Sequence, residues 1–186
     1  MKSVFLFFSF LLSLGVFSED QEKIQATSQL ESIVLGSGCF WGEEKRYQSI
    51  PGVVSATSGY ADGKGIKPTY REITKPKNRF NPNNHAEVVL VVFDRNVVSV
   101  EEVLKDYFEG HDPTQFNRQG NDIGTQYRSA IFYHSNDQLE LAQKSLVEQS
   151  ASGRYPDPIV TEITEHKKFF RAEEYHQRYF EKQGRH

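Results

Sequence analysis

His85-Ala86-Glu87-Val88-Val89-Leu90-Val91-Val92-Phe93, "HAEVVLVVF", is the strongest strand pattern in the chain, and its reading decides the fold. In a strand, side chains alternate between faces, so Glu87, Val89, Val91 and Phe93 share one face and Ala86, Val88, Leu90 and Val92 the other. Both faces are apolar, so this is an interior strand of its sheet. Glu87, near its start, is then at least partly buried, and desolvation raises a carboxyl pKa toward the range of a usable general acid. A strand-end glutamate reaching solvent is the other reading.

Downstream, Asp94-Arg95-Asn96 closes the strand, and Ser99-Val100-Glu101-Glu102 is a capping box. Val100, Val103, Leu104, Tyr107 and Phe108 then recur at helical spacing, which predicts an amphipathic helix packed on the sheet. Upstream, the spacing predicts a strand at Ser32–Leu35, a helix from Phe40 to Ile50 ended by Pro51-Gly52, and strands at Val53–Tyr60 and Thr69–Thr74. "KPKNRFNPNN" (75–84) is a Pro/Asn-rich loop, and Gly110–Gln126 a long polar one, a length that is usually functional or disordered. A strand at Tyr127–His134, a helix carrying Leu139, Ala142 and Leu146, a strand at Ile159–Ile163 and a terminal helix over Phe169–Lys182 complete the pattern. Consecutive strands in the middle favour α+β over a doubly wound sheet. The expectation is a two-layer α/β sandwich, a ferredoxin-like plait with a mixed, largely antiparallel sheet and long loops.

The 186 residues carry a net charge of −3 without Lys/Arg clusters, so nothing electrostatic points to nucleic acid. Lys2, the apolar run Val4–Phe17 and the acidic turn after Ser18 read as a signal peptide over residues 1–18, too short to span a bilayer. That implies export, periplasmic or secreted, with no membrane attachment after cleavage. Residues 19–31 read as a flexible segment, and 32–186 as one domain.

An exported chain with one cysteine cannot close an internal disulfide, so its thiol is either an inert core group or a reactive one. Cys39 sits in "GSGCFWG" (36–42), after a strand and a Gly-Ser-Gly turn, opening a helix. Unpaired backbone N–H groups and the positive dipole end favour the thiolate there, so the thiol pKa is expected below its free value. Phe40 and Trp41 either belong to the core or wall an apolar pocket beside the sulfur. The 110–129 stretch, with Asp112, Asn121, Asp122, Gln126, Tyr127 and Arg128, has the hydrogen-bonding density of a substrate wall, or of a solvated loop. His85, His111 and His134 leave Cys-His hydrolysis open as an alternative chemistry. No metal-ligand pattern is present.

Taken together, "GCFWGEE" (38–44), "GYADG" (59–63), "PTYREIT" (68–74), "HAEVV" (85–89), "HDPTQFNRQGNDIGTQYRSAIFY" (111–133) and "AEEYHQRYFEK" (172–182) resemble the type A peptide methionine sulfoxide reductases, in one collinear order. The resemblance implies reduction of the S epimer of methionine sulfoxide, free or in oxidised proteins, by a monomer without bound cofactor. It makes Cys39 the nucleophile, Glu87 the acid assisted by Tyr70 and Tyr127, Phe40 and Trp41 the walls around the substrate methyl, and Asp122 a pocket residue. Many relatives carry resolving cysteines near the C-terminus, whereas this chain ends "KQGRH". The implied recycling is therefore by an external thiol: thioredoxin, glutaredoxin with glutathione, or another dithiol.

Overall fold

The computed structural model describes residues 29–65 and 67–184. The expected leader and most of the polar segment after it lie outside the described residues. Strand β1 (Leu30–Ser37) starts ahead of the domain boundary expected at residue 32. A sharp turn joins it to helix α1 (Phe40–Gln48), and β2 (Val53–Ala61) follows. Strand β3 (Ala86–Asp94) and helix α3 (Val100–Gly110) are separated from β2 by the single-turn helix α2 (Tyr70–Ile73). A two-residue ribbon, β4 (Arg118–Gln119) with β5 (Asp122–Ile123), precedes β6 (Ser129–Tyr133) and helix α4 (Asn136–Ala151). Strands β7 (Glu162–Glu165) and β8 (Phe169–Arg171) and the short helix α5 (Tyr179–Lys182) close the chain.

Six strands form one mixed sheet in the order β7-β6-β1-β3-β2-β8. β2/β3, β1/β6 and β2/β8 pair antiparallel, and β6/β7 pair parallel. β3 is interior, as its two apolar faces require. Val89, Val91 and Phe93 enter the larger core with Val100, Val103, Leu104, Tyr107 and Phe108 of α3, while Ala86 and Val88 join a second cluster with Val34, Ala130 and Phe132. The capping box of α3 is formed in both directions: Glu102 N–H donates to Ser99 Oγ (3.2 Å) and Ser99 N–H to Glu102 Oε2 (2.8 Å). The five α3 positions expected to face the sheet are all buried.

Three elements differ from the sequence pattern. Thr69–Thr74 contains the helix α2 rather than a strand, because Thr69 Oγ1 accepts from Glu72 N–H (3.3 Å) and caps one turn. Phe169–Lys182 is not one helix. Its first residues form the edge strand β8, paired in register with Gly59, Tyr60 and Ala61, and a side chain at position 59 would collide with the Phe169 ring. Arg178, at φ 51°, then breaks the path before α5 begins. The late strand falls at Glu162–Glu165, later than Ile159–Ile163, where it can lie parallel to β6.

Gly38 positions the site. Its φ is 101°, a left-handed conformation suited to glycine, and a Cβ there would lie 2.7 Å from Gln119 Cβ. Gly38→Ala is therefore expected to cost about 1–3 kcal/mol of stability and to lift the 110–126 loop off the β1–α1 turn. Thermal unfolding and activity measured on the one variant check this. An alanine variant as stable and as active as wild type would contradict it.

Candidate active site

Cys39 is the N-cap of α1, half-buried, with extended backbone (φ −65°, ψ 117°). The first amide of the helix, Phe40 N–H, donates to Glu87 Oε2 at 3.2 Å. The strand read first thus delivers the Glu87 carboxyl to the helix terminus that carries the one thiol. Glu87 is 1% exposed and Tyr60 stands opposite it across the β2/β3 ladder. Its second oxygen, Oε1, has no hydrogen-bond partner.

Burial in this apolar wall pushes the Glu87 carboxyl up to about 8; the Phe40 amide pulls it down and the charge of Asp122 adds to the rise. At neutral pH the group is mostly a carboxylic acid. A buried acid and a free oxygen facing no protein donor suit a proton delivered to a substrate.

The thiol behaves contrary to the sequence expectation. Burial pushes Cys39 up to about 12, and the charge of Glu87 adds to the rise. Hydrogen bonds from the Trp41 and Gly42 backbones do favour the thiolate, as the helix terminus suggests. Desolvation outweighs them, so the resting group is a neutral thiol.

Tyr70, the first residue of α2, and Tyr127, in the 3₁₀ turn Thr125–Tyr127, are both half-buried. Burial is the main cause that raises both phenols, Tyr70 to about 12, and the charges of Glu87 and Asp122 act on each. Asp122 also acts on Cys39 and Glu87, while its own residue is exposed on β5. Glu87, Cys39, Tyr70, Tyr127 and Asp122 are thus linked electrostatically, with Asp122 the exposed member.

Phe40 is buried and packs on Tyr60 at 5.8 Å between ring centroids. Trp41 is half-buried and stacks on Tyr179 at 3.8 Å and 8°. Trp41 Nε1–H donates to His176 Nδ1 (2.9 Å), and the His176 ring lies 5.0 Å from Phe40 and 4.5 Å from Tyr70. Burial lowers the His176 pKa, which keeps Nδ1 free to accept. Glu173 ties the same corner together, accepting from Tyr60 Oη (2.7 Å) and Tyr70 N–H (3.0 Å).

Sequence reasoning did not single out His176, Tyr179, Glu173 or Tyr60. The density of rings in 169–182 was the signal for His176 and Tyr179, and the helical reading of that stretch hid it. Of the histidines noted earlier, His111 is engaged by the Tyr107 carbonyl (2.7 Å) and Ser129 Oγ (2.8 Å). Among the described residues no histidine is hydrogen-bonded to the Cys39 sulfur, which removes the geometry of a Cys-His hydrolase.

The chain is similar to proteins of one family. The model of the family "Peptide methionine sulfoxide reductase" matches residues 31–186. A relative from Geobacter sulfurreducens, "Peptide methionine sulfoxide reductase MsrA", is 48% identical over 157 residues, covering 84% of this chain and 94% of its own. The crystal structure of Mxr1 from Saccharomyces cerevisiae in reduced form superposes with a TM-score of 0.76 at 33% identity, covering 86% of this chain and 88% of that one. Mxr1 in complex with Trx2 superposes at 0.57 and 28% identity, covering 79% and 84%. The mixed sheet and the thiol at the head of α1 therefore have one explanation: the chain belongs to the type A branch of the peptide methionine sulfoxide reductase family.

Proposed function

We propose that the centre around Cys39 reduces the S epimer of methionine sulfoxide, free or within oxidised proteins, with Cys39 as nucleophile and Glu87 as general acid. The enzyme is a peptide-methionine (S)-S-oxide reductase, an oxidoreductase of protein repair. One observation carries the residue roles: the buried Glu87 carboxyl, raised to about 8, spends one oxygen on the helix that begins with Cys39 and keeps the other free.

A sulfoxide oxygen leaves only when protonated, so Glu87 gives it a proton while Cys39 Sγ attacks the sulfur. Tyr70 and Tyr127, kept neutral by burial, can donate to the same oxygen. The positive charge gained by the protonated substrate favours thiolate at Cys39, offsetting the desolvation that holds the resting thiol neutral. The thiol proton returns to Glu87. Sulfoxide sulfur is reduced by two electrons, Cys39 is oxidised by two, and the oxygen ends on Cys39 as sulfenic acid. Phe40 and Trp41 would enclose the methyl, Trp41 being fixed by Tyr179 and His176.

With one cysteine in the chain, the sulfenic acid cannot close an intramolecular disulfide. An external thiol attacks Sγ to form a mixed disulfide, and a second thiol releases it. The Mxr1–Trx2 complex supports a thioredoxin as that donor; glutaredoxin with glutathione has the same chemistry. The leader pattern of residues 1–18 supports export, to the periplasm or beyond, and the proposed enzyme acts there as a monomer.

Mass spectrometry after one turnover, with excess sulfoxide and no reductant, tests the scheme. The expected products are one methionine per enzyme and one added oxygen on Cys39, converted to a mixed disulfide by glutathione. Stoichiometric methionine with an unmodified thiol would show the mechanism to be wrong.

A further inference from the structure

Two loops near the catalytic centre display aromatic side chains to solvent: Phe80 is 70% exposed and Phe116 69%, with Ile123 at 37%. Single exposed apolar residues on a surface are common. Here, though, the loops that carry them are joined to each other and to the site. Thr125 N–H donates to Arg79 O (2.8 Å), Arg79 Nε to Ile123 O (3.2 Å) and Thr125 Oγ1 to Asn78 O (3.2 Å). Gln119, three residues after Phe116, packs on Gly38 next to Cys39, and Asp122, beside Ile123, acts electrostatically on Cys39 and Glu87.

Neither phenylalanine hangs from a loose segment. Asp112 accepts from Thr114 Oγ1 (2.6 Å) and Gln115 Nε2 (2.7 Å), and Gln115 Oε1 accepts from Gly120 N–H (2.8 Å), which fastens the turn around Phe116. Asn84 Nδ2 donates to Ile73 O (2.9 Å) and Asn78 O (3.2 Å), closing the loop that carries Phe80, and the Arg79 guanidinium lies 5.4 Å from the Phe80 ring. Holding aromatic rings out on fixed backbone costs hydration without a folding benefit, and pre-ordered rings are what a binding surface uses.

We propose that Phe80, Phe116 and Ile123 form an outer rim that binds large apolar side chains one or two positions from the methionine sulfoxide in an extended peptide, and so select oxidised sites with apolar neighbours. The inference rests on the sulfoxide reductase reading of the site. The occupant follows from continuity with it: a sulfoxide side chain seated at Cys39 leaves its own peptide lying over these loops. Successive residues of an extended chain step about 3.3 Å along it, so the residues one or two positions away lie about 3–7 Å from the sulfoxide residue, on the side where these joined loops stand.

The test compares three substrates: a blocked single residue, N-acetyl-methionine sulfoxide methylamide, and pentapeptides with either Phe or Gly on both sides of the sulfoxide. Wild type is expected to prefer the Phe-flanked peptide over the Gly-flanked one by about tenfold in kcat/KM, the size of one good apolar contact. In the double variant Phe80→Ser, Phe116→Ser, that preference falls toward one, while kcat/KM for the blocked residue stays unchanged. An unchanged preference would overturn the proposal. So would an equal loss on all three substrates, or a loss confined to kcat/KM for the thiol reductant, which would make the rim a reductant surface instead. Failure of wild type on the blocked residue would instead defeat the underlying assignment of the site, so the two failures are distinguishable.

Discussion

The Cys39→Ser enzyme is expected to release no methionine above the uncatalysed background at any pH, while unfolding at nearly the wild-type temperature. The reason is electronic. The reaction moves two electrons from the attacking atom to the sulfoxide sulfur and leaves oxygen on that atom, a change open to sulfur and closed to a serine hydroxyl. No second sulfur nucleophile exists in the chain to substitute, since its remaining sulfur is the thioether of Met1. The fold should tolerate the change, because the half-buried side chain is an N-cap position where serine is a favoured residue. The measurement is methionine release with saturating dithiol, beside a thermal unfolding curve. Residual turnover within a factor of about ten of wild type would remove Cys39 from the nucleophile role.

Glu87→Gln is the second large effect, with an expected loss of about 10²–10⁴-fold in kcat/KM. Glutamine keeps the shape and can still accept the Phe40 amide, but it has no carboxylic proton to give. Since the carboxyl is raised to about 8, wild-type activity supported by the acid form should fall as pH rises through that value, and the variant should lack this alkaline limb. The loss should exceed that of Tyr70→Phe or Tyr127→Phe, whose hydroxyls assist. A loss below about tenfold at every pH would refute the acid role.

Stability carries an opposite sign. The ordinary carboxyl value is 4.5, so between 4.5 and about 8 the unfolded chain has released a proton that the folded chain retains. The folded state then binds more protons, and wild-type stability decreases as pH rises through this window. Glutamine has no proton to release, so the variant should gain on wild type from pH 5 to pH 8, by an amount on the order of a few kcal/mol. A variant less active and more stable is the pattern of a catalytic group held at a structural cost.

Much of this molecule is visible in its residues. The double apolar face of 86–93 made β3 interior, and the Ser99–Glu102 box with its helical apolar spacing made α3, both local patterns whose periods of 2 and 3.6 survive any tertiary context. The Gly-Ser-Gly turn before Cys39 marked a strand-to-helix corner. The C-terminal ring cluster was legible only as composition. Phe169–Arg171 became a strand because Gly59 left room beside β2, and Trp41 acquired Tyr179 and His176 from a segment more than 130 positions away. Thr69–Thr74 went the other way, a single capped turn overriding a β-branched pattern.

Charge states divide along the same line. The residue types at Cys39 and Glu87, and the order of motifs around them, were fixed by the sequence itself and carried the family and its reaction. How readily each ionises was not, because desolvation depends on everything packed around a group, and that packing is assembled from stretches far apart in the chain. The helix terminus argued for a thiolate at Cys39; burial beside Glu87 made it a thiol raised to about 12. Sequence determined which groups could react, and only the tertiary structure decided where their protons rest, since local N–H groups and dipoles act over one turn whereas the loss of water acts over the whole pocket.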